Sequence, residues 1–224
     1  MKKLIQGIHH FQANLFSSQR ELFERLARGQ QPVALMITCS DSRINPNLIT
    51  QTEPGELFIV RNAGNLVPAH GGPVGGEAAT VEFAVVGLGI RDIIVCGHSL
   101  CGAMKALLDP DSLRQTMPAM CAWLGHAEAT RRLLEEKYPD LSPADRLNVA
   151  IQENVLQQLD NLRTHPAVAD RVARGELKLH GWVYKIETGE VFAYDPGREQ
   201  FLPLAAGPEE PALAHGALVA ERLS

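Results

Sequence analysis

The sequence predicts an α/β fold: a mostly parallel central sheet flanked by helices, with an N-terminal helical arm and a C-terminal strand pair at the sheet edge. Short runs of β-branched and large aliphatic residues, VALMIT (33–38) and DIIVC (92–96), read as strands buried on both faces, as parallel strands are. Between and after them lie segments with apolar residues at helical spacing. LKLHGWVYKIETGEVFAYD (177–195) alternates on both sides of Glu187-Thr188-Gly189-Glu190, the pattern of a strand, a turn and a second strand.

Taken in order, Leu4 to Phe16 and Glu21 to Ala27 carry apolar residues at helical spacing, and Ser18 with Glu21 fits a capping box that restarts the helix after a break. Gly29 and Pro32 end this arm, and the first core strand follows. GELFIVRNAG (55–64), bounded by Pro54 and Gly64, is the second strand. The loop from Asn65 to Gly76 holds two prolines and four glycines, so special backbone dihedrals shape it, and it is placed to wrap over a cleft. Glu77 to Leu88 reads as a helix rich in small residues, and the strand after it completes a βαβ unit. Helices are expected from Gly102, from Met120 to Lys137 and from Pro143 to Leu162. The expected division is an arm over 1–30, an α/β domain over 31–204 and a tail over 205–224, loose or forming a short docking helix.

The chain has 224 residues, 45% of them hydrophobic, enough for one sizeable core. A net charge of −5 without a basic block argues against a nucleic-acid surface, which needs clustered Lys and Arg. No apolar run approaches the ~18 residues of a membrane span, and the first residues lack the apolar stretch and cleavage site of a signal peptide; a cytoplasmic location is expected, with no membrane partner. Four unevenly spaced cysteines do not make a disulfide scaffold, which leaves metal or catalytic use for some of them. Cys96, in an apolar strand, and Cys121, in a helix, read as core thiols.

Cys39, His98 and Cys101 form a Cys2His set suited to a zinc ion with its fourth position open. The segments that carry them, CSDSR (39–43) and GHSLCG (97–102), are expected just beyond the carboxyl ends of strands, where open α/β sheets bind ligands. A structural zinc finger would present two local pairs, and the sequence has no second C-x2-C or H-x3-H element. Two thiolates cancel the charge of Zn2+, so a bound water needs further help. Asp41 can accept a hydrogen bond from that water, and Arg43 can hold the carboxylate in a bidentate pair. Asp41 is equally able to bind the metal itself and close the site.

The C-x-D-x-R and H-x-x-C segments together resemble the β-class carbonic anhydrases. The resemblance runs from about Ile5 to Asp195 and takes in RNAGNLV (61–67), GGE (75–77), CGHS (96–99) and GWVY (181–184), with DPDSLRQTMPAM and ATRRLL closest to the cyanobacterial carboxysomal branch. It implies one Zn2+ per subunit on Cys39, His98 and Cys101, an Asp41-Arg43 dyad, and reversible hydration of CO2 to bicarbonate and a proton by a zinc-held hydroxide. It also implies an obligate homodimer in which the arm crosses onto the partner, with tetramers or larger assemblies common. The apolar substrate wall would draw on Phe58, Val60 and Val67, with Phe83 and Leu88 contributed across the dimer, and the Gly102 N–H would meet a substrate oxygen.

The sequence departs from the family pattern in three places, one of them Glu53, where plant-type members carry a Gln whose hydrogen bond an ionised carboxylate cannot donate. The long carboxyl-terminal extension of carboxysomal members is missing, which argues against recruitment to a carboxysome. A bicarbonate-inhibited branch has a Trp three residues before the first cysteine, beside an Arg and a Tyr that match Arg61 and Tyr184; Met36 stands there instead, leaving that noncatalytic pocket incomplete. The alternatives are a related zinc hydrolase acting on CS2 or COS, and an assembly subunit whose zinc is closed by Asp41. His70 is a candidate proton shuttle; His9 and His10 belong to the arm, while His126, His165, His180 and His215 carry no readable signal.

Overall fold

The protein's structure, a computed structural model, describes residues 1–72 and 75–204. Its strands are β1 (Ala34–Cys39), β2 (Leu57–Asn62), β3 (Asp92–His98), β4 (Lys178–Tyr184), β5 (Val191–Asp195) and β6 (Gln200–Pro203). They form one six-stranded sheet in the order β2-β1-β3-β4-β5-β6. The first four in that order are parallel neighbours, and β4-β5 and β5-β6 pair antiparallel. The C-terminal strand pair thus lies toward one edge as expected, and β6, which has no clear signal in the sequence, makes the edge itself. The opposite edge is β2.

The aliphatic content of β1 and β3 leaves them buried along almost their whole length. Side chains alternate between faces. Leu35, Ile37 and Cys39 point into the main core, while Ala34 and Met36 join Ile94 and Cys96 in a smaller cluster on the other face. The register pairs Cys39 with Asn62 and His98 with Tyr184. Cys39 and His98 are therefore the last residues of their strands rather than loop residues beyond them, because the ladder extends further than the aliphatic runs that signal it.

The arm contains α1 (Lys2–His10), a π-helical stretch (Phe11–Leu15), α2 (Phe16–Ser18) and α3 (Arg20–Leu26), and not one of these residues is buried. The expected capping box does not form: the Ser18 hydroxyl donates to the Leu15 carbonyl at 2.9 Å, and Gln19 carries the break. A short α4 (Pro46–Thr50) follows β1, capped where the Asn45 side chain accepts from the Leu48 N–H at 3.3 Å. Next come α5 (Gly76–Glu82), continued by a π turn over Phe83–Gly87, and α6 (Gly102–Leu107). The single helix expected from Met120 to Lys137 is two, α7 (Pro118–Leu124) and α8 (Glu128–Lys137), because a 3-10 turn at Gly125–Ala127 interrupts it. α9 (Pro143–Thr164) is the longest helix described, and α10 (Pro166–Ala173) begins at the proline that ends it.

α9 lies directly on β3 and β4. Two glycines permit the close approach: a Cβ on Gly97 would stand 2.9 Å from Val155 Cγ2, and one on Gly181 would stand 3.0 Å from Val155 Cγ1. Ile151, Val155, Leu159 and Leu162 fill the interface, each contributing about 1.5–3 kcal/mol by burial. Among the described residues no helix is long and apolar enough to cross a membrane. The tail expected over 205–224 lies outside the described residues.

Candidate metal centre

Two neighbouring parallel strands converge on the site. β1 ends at Cys39, β3 ends at His98, and the turn after β3 leads to Cys101, which serves as the N-cap residue of α6. The ligand atoms of the three lie within 4.8 Å of one another, and all three residues are buried, His98 completely. The sheet therefore brings together the set read from the sequence.

The turn between His98 and Cys101 is under backbone strain. Leu100 has φ +57°, the left-handed region that a branched side chain occupies at a cost of about 1–3 kcal/mol. Several contacts hold it. Ser99 donates its N–H to the Tyr184 carbonyl at 2.9 Å, and its hydroxyl accepts from the Ile186 N–H at 2.9 Å while donating to the Glu187 carboxylate. That hydroxyl in turn keeps the Glu187 carboxyl below the usual carboxylate range. The β4–β5 turn is thus fastened to the metal segment.

His98 Nδ1 lies 2.8 Å from the Ser99 carbonyl, which only a protonated nitrogen satisfies. In the neutral imidazole the proton therefore sits on Nδ1, and Nε2 keeps the lone pair. That Nε2 is fully buried, has no hydrogen-bond partner, and faces the two sulfurs. A buried polar atom without a partner costs free energy, and a cation here removes the cost. Donors of one imidazole and two thiols are those zinc prefers.

The thiols behave as a pair. The Cys39 thiol is held well below the ordinary thiol range, first by its hydrogen bond with Cys101, against burial, and then by His98 and by the Gly64 N–H, which donates to Sγ at 3.4 Å. The Cys101 thiol is driven up, first by the same contact with Cys39 and then by burial. Two adjacent thiolates repel, so one ionises and its neighbour keeps the proton; a divalent cation between them lets both ionise. Cys96 differs. Burial pushes its thiol up to about 12, it lies in the smaller cluster, and it stands apart from the metal set.

Asp41 sits beside the ligands, its Oδ2 3.8 Å from His98 Nε2, and its carboxylate stands outside the three-ligand group. Arg43 holds it through Nε to Oδ1 at 2.9 Å and Nη2 to Oδ2 at 2.7 Å, and the Arg43 backbone N–H adds a bond to Oδ1 at 2.9 Å. Arg43 reaches across to the Leu100 carbonyl as well, at 3.1 Å. The guanidinium keeps the Asp41 carboxyl well below the usual carboxylate range. Arg61 braces the same loop, Nε to the Cys39 carbonyl at 3.0 Å and Nη2 to the Asp41 carbonyl at 2.7 Å.

Of the expected substrate wall, Val67 is fully buried, and Phe58, Val60 and Leu88 are partly buried against the same core. Phe83 is 52% exposed, with its ring centroid 5.9 Å from that of Phe58. Gly102 is exposed at the start of α6 with open space where a Cβ would stand. Met36 lies fully buried in the cluster with Tyr184. His70, the candidate shuttle, donates its backbone N–H to the Thr164 hydroxyl, with its ring 5.8 Å from that of His165. His165 and His180, silent in the sequence, bond to the Pro68 carbonyl and to Asp92.

Gly64, read from the sequence as a strand boundary, and Ser99, part of the CGHS motif, carry no site role in the sequence. Their contacts are made by backbone atoms or through residues distant in sequence, and only the left-handed φ of +84° at Gly64 had a local signal, the glycine itself.

Residues 34–191 match the family model described as carbonic anhydrase. The chain is 55% identical over 195 residues to a carbonic anhydrase of Synechocystis sp., covering 87% of this chain and 71% of that one. Its fold matches the solved structure of the β-carbonic anhydrase CcaA with TM-score 0.90 and 52% identity, over 92% of each chain. A more distant match, with TM-score 0.75 and 25% identity over 93% of this chain and 98% of the other, comes from work describing two tetrameric β-carbonic anhydrases of the ascomycete Sordaria macrospora.

Proposed function

Because the chain belongs to the β-carbonic anhydrase family, we propose that it catalyses the reversible hydration of CO2 to bicarbonate and a proton at a zinc ion held by Cys39, His98 and Cys101. The observation that carries this reading is the buried, unpartnered Nε2 of His98, aimed at two thiols and fixed in the ligating tautomer by the Ser99 carbonyl. When bound, the ion supplies the Lewis acidity that makes water a nucleophile near neutral pH.

The protein's own residues do the rest. Asp41, kept ionised by Arg43, is only an acceptor, so it orients a water by taking one of its hydrogen bonds and leaves the oxygen lone pair directed at substrate. So acidic a carboxylate is a poor resting place for a proton, and the proton passes on to solvent. Arg61 keeps the Cys39–Asp41 backbone in place while this occurs. Phe58 and Val60, backed by buried Val67 and joined by Phe83 and Leu88 from across the dimer, supply an apolar wall for CO2, and the Gly102 N–H meets a substrate oxygen.

The working unit in this reading is a homodimer or an assembly of dimers, with an α/β domain over 31–204 and an arm over 1–30 that packs onto a second copy. Exposed Leu4, Ile5, Ile8, Phe11, Leu15 and Phe16 support it, since an arm with so much apolar surface needs a covering partner. Stopped-flow measurement of CO2 hydration alongside CS2 hydrolysis, on zinc-loaded protein, tests the proposal. Rapid CO2 hydration is expected. CS2 turnover without CO2 turnover, or neither, overturns it.

A further inference from the structure

Behind the metal set, the peptide joining Ala63 to Gly64 is hydrogen-bonded at both ends. Its N–H end belongs to Gly64 and donates to Cys39 Sγ at 3.4 Å; its carbonyl end belongs to Ala63 and accepts the indole N–H of Trp123 at 2.8 Å. Trp123 lies half-buried on α7, far from Cys39 in sequence. A single planar amide therefore links the indole to the sulfur, and a donor on a carbonyl polarises the N–H at the other end of the same peptide.

The peptides that follow it in the loop are held from α9. Asn154 Nδ2 donates to the Gly64 carbonyl at 3.0 Å, and Gln158 Nε2 donates to Asn154 Oδ1 at 2.9 Å, both side chains being buried on α9. Gln158 Oε1 accepts the Val67 N–H at 2.8 Å, and Asn161 donates to the Val67 carbonyl at 2.8 Å. Below Gly64 the fit is tight: a Cβ would stand 3.1 Å from Met104 Cε and 3.2 Å from Ala103 Cβ, on the helix that Cys101 begins.

We propose that Trp123 is a positioning residue for the metal centre, acting through the Ala63–Gly64 peptide to strengthen the hydrogen bond on Cys39 Sγ and so moderate how much charge that thiolate gives to the metal. The proposal rests on the reading that Cys39 is a ligand. A thiolate that accepts a stronger hydrogen bond is a weaker donor, leaving the metal more acidic; this is the sense in which groups behind the ligands tune metal sites.

The test uses full-length protein with cobalt(II) in place of zinc, in which a cobalt-bound thiolate shows a sulfur-to-metal charge-transfer absorption. Two variants remove the indole donor: Trp123→Phe, and replacement of Trp123 by benzothienylalanine, which keeps the bicyclic ring and lacks the N–H, so it decides the outcome if the Phe variant does not fold. Leu134→Ala, a buried change on α8, is the control for destabilisation alone. Both Trp123 replacements are expected to move the absorption to longer wavelength and, with zinc, to lower kcat on the order of tenfold, the lower end of what changes behind metal ligands cost. KM should stay within about twofold, as for a group that acts on the transition state without binding substrate. The control should melt earlier with its absorption unmoved. A band that does not shift in either Trp123 replacement overturns the proposal, whereas absence of any sulfur-to-cobalt band in the unaltered protein overturns the ligand reading beneath it.

Discussion

The metal centre and the amino-terminal arm stand at opposite extremes of completeness within one chain. Cys39, His98 and Cys101 are buried, and the side chains and backbone that hold them come from β1, β3, β4, α6 and the turn after β4 of the same chain. From Lys2 to Leu26 no residue is buried, and the aromatic contacts the arm makes, Phe11 with Phe16 and Phe23, are with itself. The three ligands are thus brought together within the fold of one chain, while the arm's apolar surface stays exposed. The stability of the centre and the state of assembly should accordingly respond to different mutations.

The largest effect is expected at the ligands. Cys39→Ser should lose the ion, measured by metal analysis, and bring turnover down to the uncatalysed background, because ligand energy in such a site is also folding energy. Asp41→Asn should retain zinc and lower kcat about 10²-fold, as for a lost positioning group. The same variant gives a pH signature. Arg43 holds the folded-state pKa of Asp41 below its unfolded value, so the stability that separates wild type from Asp41→Asn is present throughout neutral pH. It disappears only as pH falls below the usual carboxylate range, and denaturant titrations across that range would show it.

Smaller effects separate packing from strain. Gly97→Ala drives a methyl into Val155 and should cost about 1–3 kcal/mol in urea unfolding. Leu100→Gly relieves a left-handed backbone and should be neutral or stabilising by up to about 1 kcal/mol in the same assay. Least of all at the metal is the arm. Ile8→Asp with Phe11→Asp should reduce the particle mass in sedimentation while zinc content stays at one ion per chain; loss of zinc along with assembly would erase the contrast between the two regions.

Legibility in the sequence follows the range of the forces involved. The three ligands and the Asp41-Arg43 pair stand in two short segments whose spacing is chemistry in itself, and the buried strands announce themselves through Ile, Val and Leu. Elements with short or ambiguous local signals stay hidden: α4 is one short turn on an Asn45 cap, β6 exists by pairing with β5, and α10 follows a proline that reads as a terminator. Gly125 was the available clue that the helix from Met120 would break. The buried amides Asn154, Gln158 and Asn161 look like an ordinary solvated face of α9, since their partners are backbone atoms about ninety residues earlier. Trp123 was silent for the same reason.

The placement of the ligands at the ends of neighbouring strands bears on how the protein is made. Cys39 leaves the ribosome well before His98 and Cys101, and it has no companion donor until β3 has been synthesised and has found β1. α9, which braces both the sheet and the Gly64 loop, is translated later still. His98 and Cys101 are a local pair three residues apart, so the three-donor set is completed only when β3 has paired with β1 and brought Cys39 beside them.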